Sequence, residues 1–122
     1  MLLFEDLTKK IIGAAVEVHK ILGPGFLESV YEEAPAKEMD FRGIRFERQD
    51  PIRAIYKHEQ IGNYRPDFLV EDKVVVEIKA VPCLVPAHKA QAIHYLAATR
   101  LHLALLLNFG DRKLAIKRVI LF

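Results

Sequence analysis

The sequence predicts a mixed α/β (α+β) domain in which two helices lead into antiparallel strands, a third helix, and a closing pair of strands. Three observations carry this. Apolar residues recur at helical spacing from Phe4 to Leu22; short β-rich segments separated by turn residues take over from Gly43; and a continuous apolar run, "LALLLNF" at 103–109, follows a third helical stretch. A chain of 122 residues fits one domain, and residues 1–122 are read as a single one, with no internal repeat, low-complexity segment or linker.

In order along the chain, Phe4, Leu7, Ile11, Ala14, Ala15, Val18 and Leu22 mark an amphipathic helix over residues 5–22. "GPG" at 23–25 stops it, with Gly where a left-handed cap is common. A second helix is expected from Phe26 toward Phe41, kinked or stopped early at Pro35, which removes one hydrogen bond and clashes with the carbonyl of Tyr31. Strands are expected at Ile44–Gln49, Ile52–Lys57, Ile61–Val70 and Val74–Ala80. Pro86 suits the first turn of a helix to Thr99. The run at 103–109 reads as a strand buried on both faces, and one reached through a helix is most simply parallel to Val74–Ala80 through a right-handed crossover. "KLAIKRVIL" at 113–121 alternates as a final edge strand, an edge through which two copies could pair as a homodimer.

Composition narrows the function classes. Hydrophobic residues make up 52% and charged residues 28%, as in an ordinary globular protein. The net charge of +2 neither points to nor excludes a nucleic-acid partner, because local clusters matter more than the total. A lone Cys83 offers no internal disulfide and fits a reducing compartment. No run reaches the roughly 18 apolar residues of a membrane span, and Glu5 and Asp6 argue against a signal peptide, so a cytoplasmic protein with no membrane partner is expected.

"YRPDFLVEDKVVVEIKA" at 64–80 carries the chemistry. An apolar strand holds Glu77 and Lys79 in its middle, although such residues are rarely buried without a partner. If Glu71-Asp72-Lys73 forms the loop and Val70 pairs with Val74, Asp67 stands opposite Glu77, near enough for the two carboxylates to share a divalent ion. Lys79 joins the same face by strand period, while Phe68, Val70, Val74, Val76 and Ile78 form an apolar wall on the other. A loop one residue shorter or longer would separate the acids. The competing reading is a solvated face with a Glu–Lys pair; Leu69 and Val75, which flank the acids on their own face, favour a partly covered cleft. Gly25, Glu28, Tyr31 and Glu32 share one helical face, with Glu28 in the first turn, and Gln91 and Tyr95 lie one turn apart.

These residues resemble a known signature. Pro66-Asp67 followed by Glu77-Ile78-Lys79 is similar to the motif of the PD-(D/E)XK nuclease superfamily, and the order of elements to its restriction-endonuclease-like αβββαβ core, a central mixed sheet flanked by helices. Gln91 and Tyr95 resemble the QxxxY element of its exonuclease-like branch. "GPGFLESVYEEA", with Gly25, Glu28 and Tyr31, resembles the GxxExxY protein family of that superfamily, as do "GIRFERQ", "YRPDFLV", "VVVEIKAV", "AQAIHYLAAT" and "LLLNFG". The likeness runs from about Leu7 to Ile120, with Pro35 as a departure.

The resemblance implies a nuclease that hydrolyses phosphodiester bonds of nucleic acid, DNA in preference to RNA, with Mg²⁺ or Mn²⁺ as cofactor. It implies Asp67, Glu77 and the backbone carbonyl of Ile78 as metal ligands, Lys79 at the attacking water or the phosphate, Glu28 on the metal through water or on a second ion, and Gln91 positioning phosphate or water. Tyr31, Tyr95 and His19 would be secondary, and Lys89, Arg65 and Arg100 would touch phosphates. Two rivals stand beside it. One is a module of the same fold that binds nucleic acid or protein without turnover, against which the intact Asp67, Glu77 and Lys79 argue. The other is a histidine-based metal enzyme, which is disfavoured because His19, His58, His88, His94 and His102 show neither HExxH spacing nor Cys pairing. "GPG" lacks the preceding strand, the Lys and the Ser/Thr of a phosphate-binding loop.

Overall fold

A computed structural model describes residues 2–122 and shows a three-layer arrangement. Helix α1 (Glu5–Leu22) buries Ile11, Ala14, Ala15 and Val18, the face read from its spacing, and ends where the Gly23 N–H, at φ 68°, returns to the carbonyl of His19. Helix α2 (Glu28–Phe41) starts two residues later than expected, because the chain from Gly23 to Leu27 is wrapped around Tyr31. The Tyr31 hydroxyl donates to the Gly23 carbonyl and accepts the Phe26 N–H at 3.2 Å. The stop expected at Pro35 does not occur, and α2 runs through it. Its buried face is Tyr31, Pro35, Ala36 and Met39, and this packing offsets the roughly 3 kcal/mol an interior proline costs a helix.

The strands β1 (Phe46–Arg48), β2 (Ile52–Tyr56), β3 (Glu59–Tyr64), β4 (Phe68–Val70), β5 (Val74–Lys79), β6 (Leu103–Asn108) and β7 (Ala115–Ile120), with helix α3 (Pro86–Thr99) between β5 and β6, form two sheets. The main one has the order β1-β4-β5-β6-β7, with β5 parallel to β6 and the other pairs antiparallel. The second is the hairpin of β2 and β3 alone.

The continuous strand expected over Ile61–Val70 is therefore two strands in different sheets. Pro66, which has no N–H to give a ladder, sits at the change of partner: Tyr64 closes the hairpin opposite Ile52, and Phe68 opens pairing with Arg48 on one side and Val76 on the other. As a result β4 rather than β2 lies beside β1. Helices α1 and α2 cover one face of the main sheet over Phe68, Val70, Val76, Ile78, Leu105 and Leu107. Helix α3 covers the other through Ala92 and Leu96, against Val75, Ala104, Leu106 and Val119. β6, buried at every residue, is the strand its apolar run predicts, and β7 is an edge strand. No helix among the described residues is long and apolar enough to cross a membrane.

Candidate active site

The hairpin register is Val70 opposite Val74, Leu69 opposite Val75 and Phe68 opposite Val76. Asp67, one residue before β4, therefore comes level with Glu77. Its side chain reaches further along β5: Oδ2 accepts the Ile78 N–H at 2.7 Å, taking over the backbone ladder where β4 ends. The Pro66 and Asp67 carbonyls accept the Gln49 N–H, at 3.0 and 3.3 Å, which anchors this turn to the strand before it.

Glu77 is half-buried on the α3 side of the sheet. Its carboxylate accepts a hydrogen bond from the Tyr64 hydroxyl. Tyr64 is itself 7% exposed, and its ring stacks on that of Tyr95 at 3.8 Å between centroids. Tyr95 in turn accepts a hydrogen bond from the Gln91 amide at 3.0 Å. Gln91 and Tyr95 are thus tied to Glu77 through Tyr64, a residue the sequence reading did not single out although it begins the motif-bearing stretch.

Burial, above all, pushes the Asp67 carboxyl up to about 7; the Ile78 N–H opposes this, and the carboxylates of Glu32 and Glu28 add to it. Burial also pushes Glu77 up to about 7, with Lys79 opposing and Glu28 and Glu32 adding. Glu28 and Glu32 of α2 therefore act on both Asp67, in the turn before β4, and Glu77 on β5. Glu32 is the second residue missing from the predicted site. The signal available was its place one turn beyond Glu28 on the same helical face; it also accepts a hydrogen bond from Gln49 at 3.3 Å.

Lys79 and Asn108 are partners across β5 and β6. Asn108 is fully buried and clamps the end of the site strand: its Oδ1 accepts the N–H groups of Val81 and Gly110 at 3.0 and 3.1 Å, and its Nδ2 donates to the Val81 carbonyl at 2.9 Å. Gly110 packs so tightly on the backbone of Ala80 and Val81 that a Cβ there would overlap it.

Of the other expected site residues, Tyr31, His19 and Arg100 do not join the acids. Tyr31 is in the core, its ring stacked on Phe109 at 4.9 Å, and it holds the 23–27 turn rather than facing the acids. His19 is buried, with Nε2 2.9 Å from the Asp111 carbonyl, and takes a packing role. Arg65 is exposed next to Tyr64, and Lys89 is exposed on the second turn of α3. Arg100 caps the far end of α3, beside the start of β6, whose first residue pairs with Val74. That is the end of β5 away from Glu77 and Lys79, so Arg100 is not beside the acids.

Among the described residues, no three His, Cys, Asp or Glu side chains converge on one point as a ready metal cage. The Asp67 and Glu77 carboxylates are instead engaged by Ile78 and Tyr64. The donor set is all oxygen and rich in like charge, and burial drives its central pair toward neutrality. A hard divalent cation relieves that condition.

A three-layer fold whose five-stranded mixed sheet is flanked by helices, with Glu77 and Lys79 on its central strand and Asp67 in the turn before β4, is a restriction-endonuclease-like domain. The chain belongs to the PD-(D/E)XK nuclease superfamily, whose profile matches residues 5–119. Members of that superfamily generally use divalent metal ions. Among solved structures, the chain is similar to the crystal structure of an alkaline exonuclease (LHK-Exo) from Laribacter hongkongensis, at 15% identity and a TM-score of 0.45. That match covers 75% of this chain and 55% of the exonuclease chain, so the chain spans about half the length of its structural relative. No curated protein matches the chain.

Proposed function

We propose that this protein is a divalent-metal-dependent nuclease that hydrolyses phosphodiester bonds of DNA in preference to RNA, and that it stands within the GxxExxY group of its superfamily. The observation that carries the reading is the juxtaposition of Asp67, in the turn before β4, with Glu77 on β5 and Lys79 two residues on, in a half-buried cleft where burial pushes both acids up to about 7.

Asp67, Glu77 and the Ile78 carbonyl would hold Mg²⁺ or Mn²⁺. In an extended strand the N–H and C=O of one residue point to the same edge, so the Ile78 carbonyl faces the edge where its N–H meets Asp67. Glu28 and Glu32, on consecutive turns of α2, supply further negative charge for a water-bridged or second ion. When bound, the ion lowers the pKa of a coordinated water and neutralises charge on the phosphate. Lys79 presents a point charge on the same face to orient the water and stabilise negative charge at phosphorus. Tyr64 fixes the Glu77 rotamer, and Gln91 with Tyr95 supports Tyr64 and offers an amide at the rim of the cleft.

The test is metal-dependent cleavage of single-stranded, double-stranded and branched DNA and RNA by the purified protein. Activity in Mg²⁺ or Mn²⁺ that is lost in Glu77→Ala and Lys79→Ala supports the reading. Absence of hydrolysis on every substrate, with no Asp67-dependent heat of Mn²⁺ binding, replaces it with a non-catalytic binding module of the same fold.

A further inference from the structure

On the α3 side of the main sheet the strand pairing sets Glu77, Leu106 and Lys117 in one row, Glu77 opposite Leu106 and Leu106 opposite Lys117. Neighbouring strands lie about 4.8 Å apart, so the Lys117 backbone is roughly 10 Å from that of Glu77. A cavity of about 310 Å³ opens along this row, lined by Leu84, Val85, Pro86 and Leu106 with Lys89 and Lys117. Leu106 is 2% exposed and forms an apolar floor, whereas both lysines are exposed. Neither lysine takes part in an ion pair among the described residues. Two lysines outside any ion pair beside an apolar slot, whose floor residue Leu106 is the strand partner of Glu77, complement a ligand with an apolar part and flanking anions.

We propose that this cavity takes the unpaired nucleobase adjoining the scissile phosphate of a single nucleic-acid strand, with Lys89 and Lys117 holding the neighbouring backbone phosphates. The proposal rests on the nuclease reading for where the scissile phosphate sits. In a duplex the bases are stacked inward, so a base enters an apolar slot of this kind only when it is unstacked and unpaired. The lysines supply the sequence-independent phosphate contact, and the slot supplies the preference for an open strand.

The experiment is fluorescence anisotropy of a labelled oligonucleotide in Ca²⁺ or in chelator, which reads binding separately from turnover, with matched single-stranded DNA, single-stranded RNA and duplex. The expected result is tighter binding of single strand than of duplex. Lys89→Gln/Lys117→Gln should weaken single-strand binding about tenfold at low salt and reduce the slope of log affinity against log salt by about 1.4. Val85→Glu, at a position 44% exposed, should weaken binding through its added carboxylate. Lys10→Gln/Lys20→Gln, on α1 at the opposite face, should leave binding unchanged. An abasic residue scanned along the strand should weaken binding at one position.

The proposal is overturned if the Lys89/Lys117 variant binds like the Lys10/Lys20 control, if abasic residues have no effect at any position, or if the protein binds no single strand. The two readings fail separately. A protein with this binding pattern but no cleavage in Mn²⁺ keeps the slot and loses the nuclease reading; one whose cleavage and strand binding are untouched by Lys89→Gln/Lys117→Gln keeps the nuclease and loses the slot.

Discussion

Replacing Glu77 with Gln separates the cost of holding an ionised carboxylate in the cleft from the reason for having one. In the folded protein without metal, Glu77 ionises at about 7, against an ordinary value of 4.5. Between those values the folded chain binds a proton that the unfolded chain has released. The stability this contributes is fully present below pH 4.5 and is lost as pH rises through 7. At about 1.4 kcal/mol per pH unit the gap corresponds to roughly 3 kcal/mol. Partial exposure and the Tyr64 hydroxyl, which favours the charged form, reduce it to about 2 kcal/mol. Gln keeps an oxygen for Tyr64 and carries no charge. In chelator, urea unfolding should therefore show Glu77→Gln about 2 kcal/mol more stable than wild type at pH 8 and equal to it at pH 4, with Asp67 contributing alike to both. Mn²⁺ at a hundredfold excess over its dissociation constant should then stabilise wild type by about 2.7 kcal/mol and the variant far less, reversing the order. Equal stabilisation of both proteins by Mn²⁺ would remove Glu77 from the metal site. A difference between them that stays flat from pH 4 to 8 would show that the cleft is open to water.

Tyr64→Phe keeps the ring stacked on Tyr95 and removes only the hydroxyl on Glu77; cleavage in Mn²⁺ should fall about tenfold in kcat, roughly 1.4 kcal/mol, with the unfolding midpoint little changed. Asp67→Asn leaves an amide oxygen for the Ile78 N–H, so the chain should fold with at least wild-type stability at pH 8, yet calorimetry should show no Mn²⁺ binding heat. Asn108→Ala strands the N–H and carbonyl of Val81 and the N–H of Gly110; a loss of about 3 kcal/mol in urea unfolding is expected, with cleavage reduced because the chain just beyond Lys79 loses its clamp.

What was legible in the residues and what was not divide along physical lines. The pairing of Val70 with Val74 could be read because strand side chains alternate strictly, and any other loop length would have put valines in water and charges in the core. The parallel pairing of Val74–Lys79 with Leu103–Asn108 followed from a helix between two apolar strands. The change of sheet at Pro66 was hidden because Ile61–Val70 looks like a strand throughout, and only the competition between two possible partners cuts it. Pro35 misled for the converse reason, since a local penalty was outweighed by packing on α1 and the sheet. Tyr64 and Glu32 were both within motif-bearing stretches, but their bearing on the site depends on contacts across 13 residues in one case and between α2 and the turn before β4 in the other. Spacing along one element cannot carry such contacts.

The position of β5 has a consequence for how the chain survives its own folding. The hairpin of β4 and β5 closes through a short local turn, but the second neighbour of β5 must be delivered through the whole of α3. Until β6 docks, "VVVEIK" is an uncovered edge of high β propensity and the kind of segment that pairs with copies of itself. Its only interruptions are Glu77 and Lys79, which in a growing stack of identical strands would be set among like neighbours. The two charges that the proposed site calls for thus also guard the strand against aggregation while it waits, and variants that neutralise both face a hazard on refolding that the finished structure does not display.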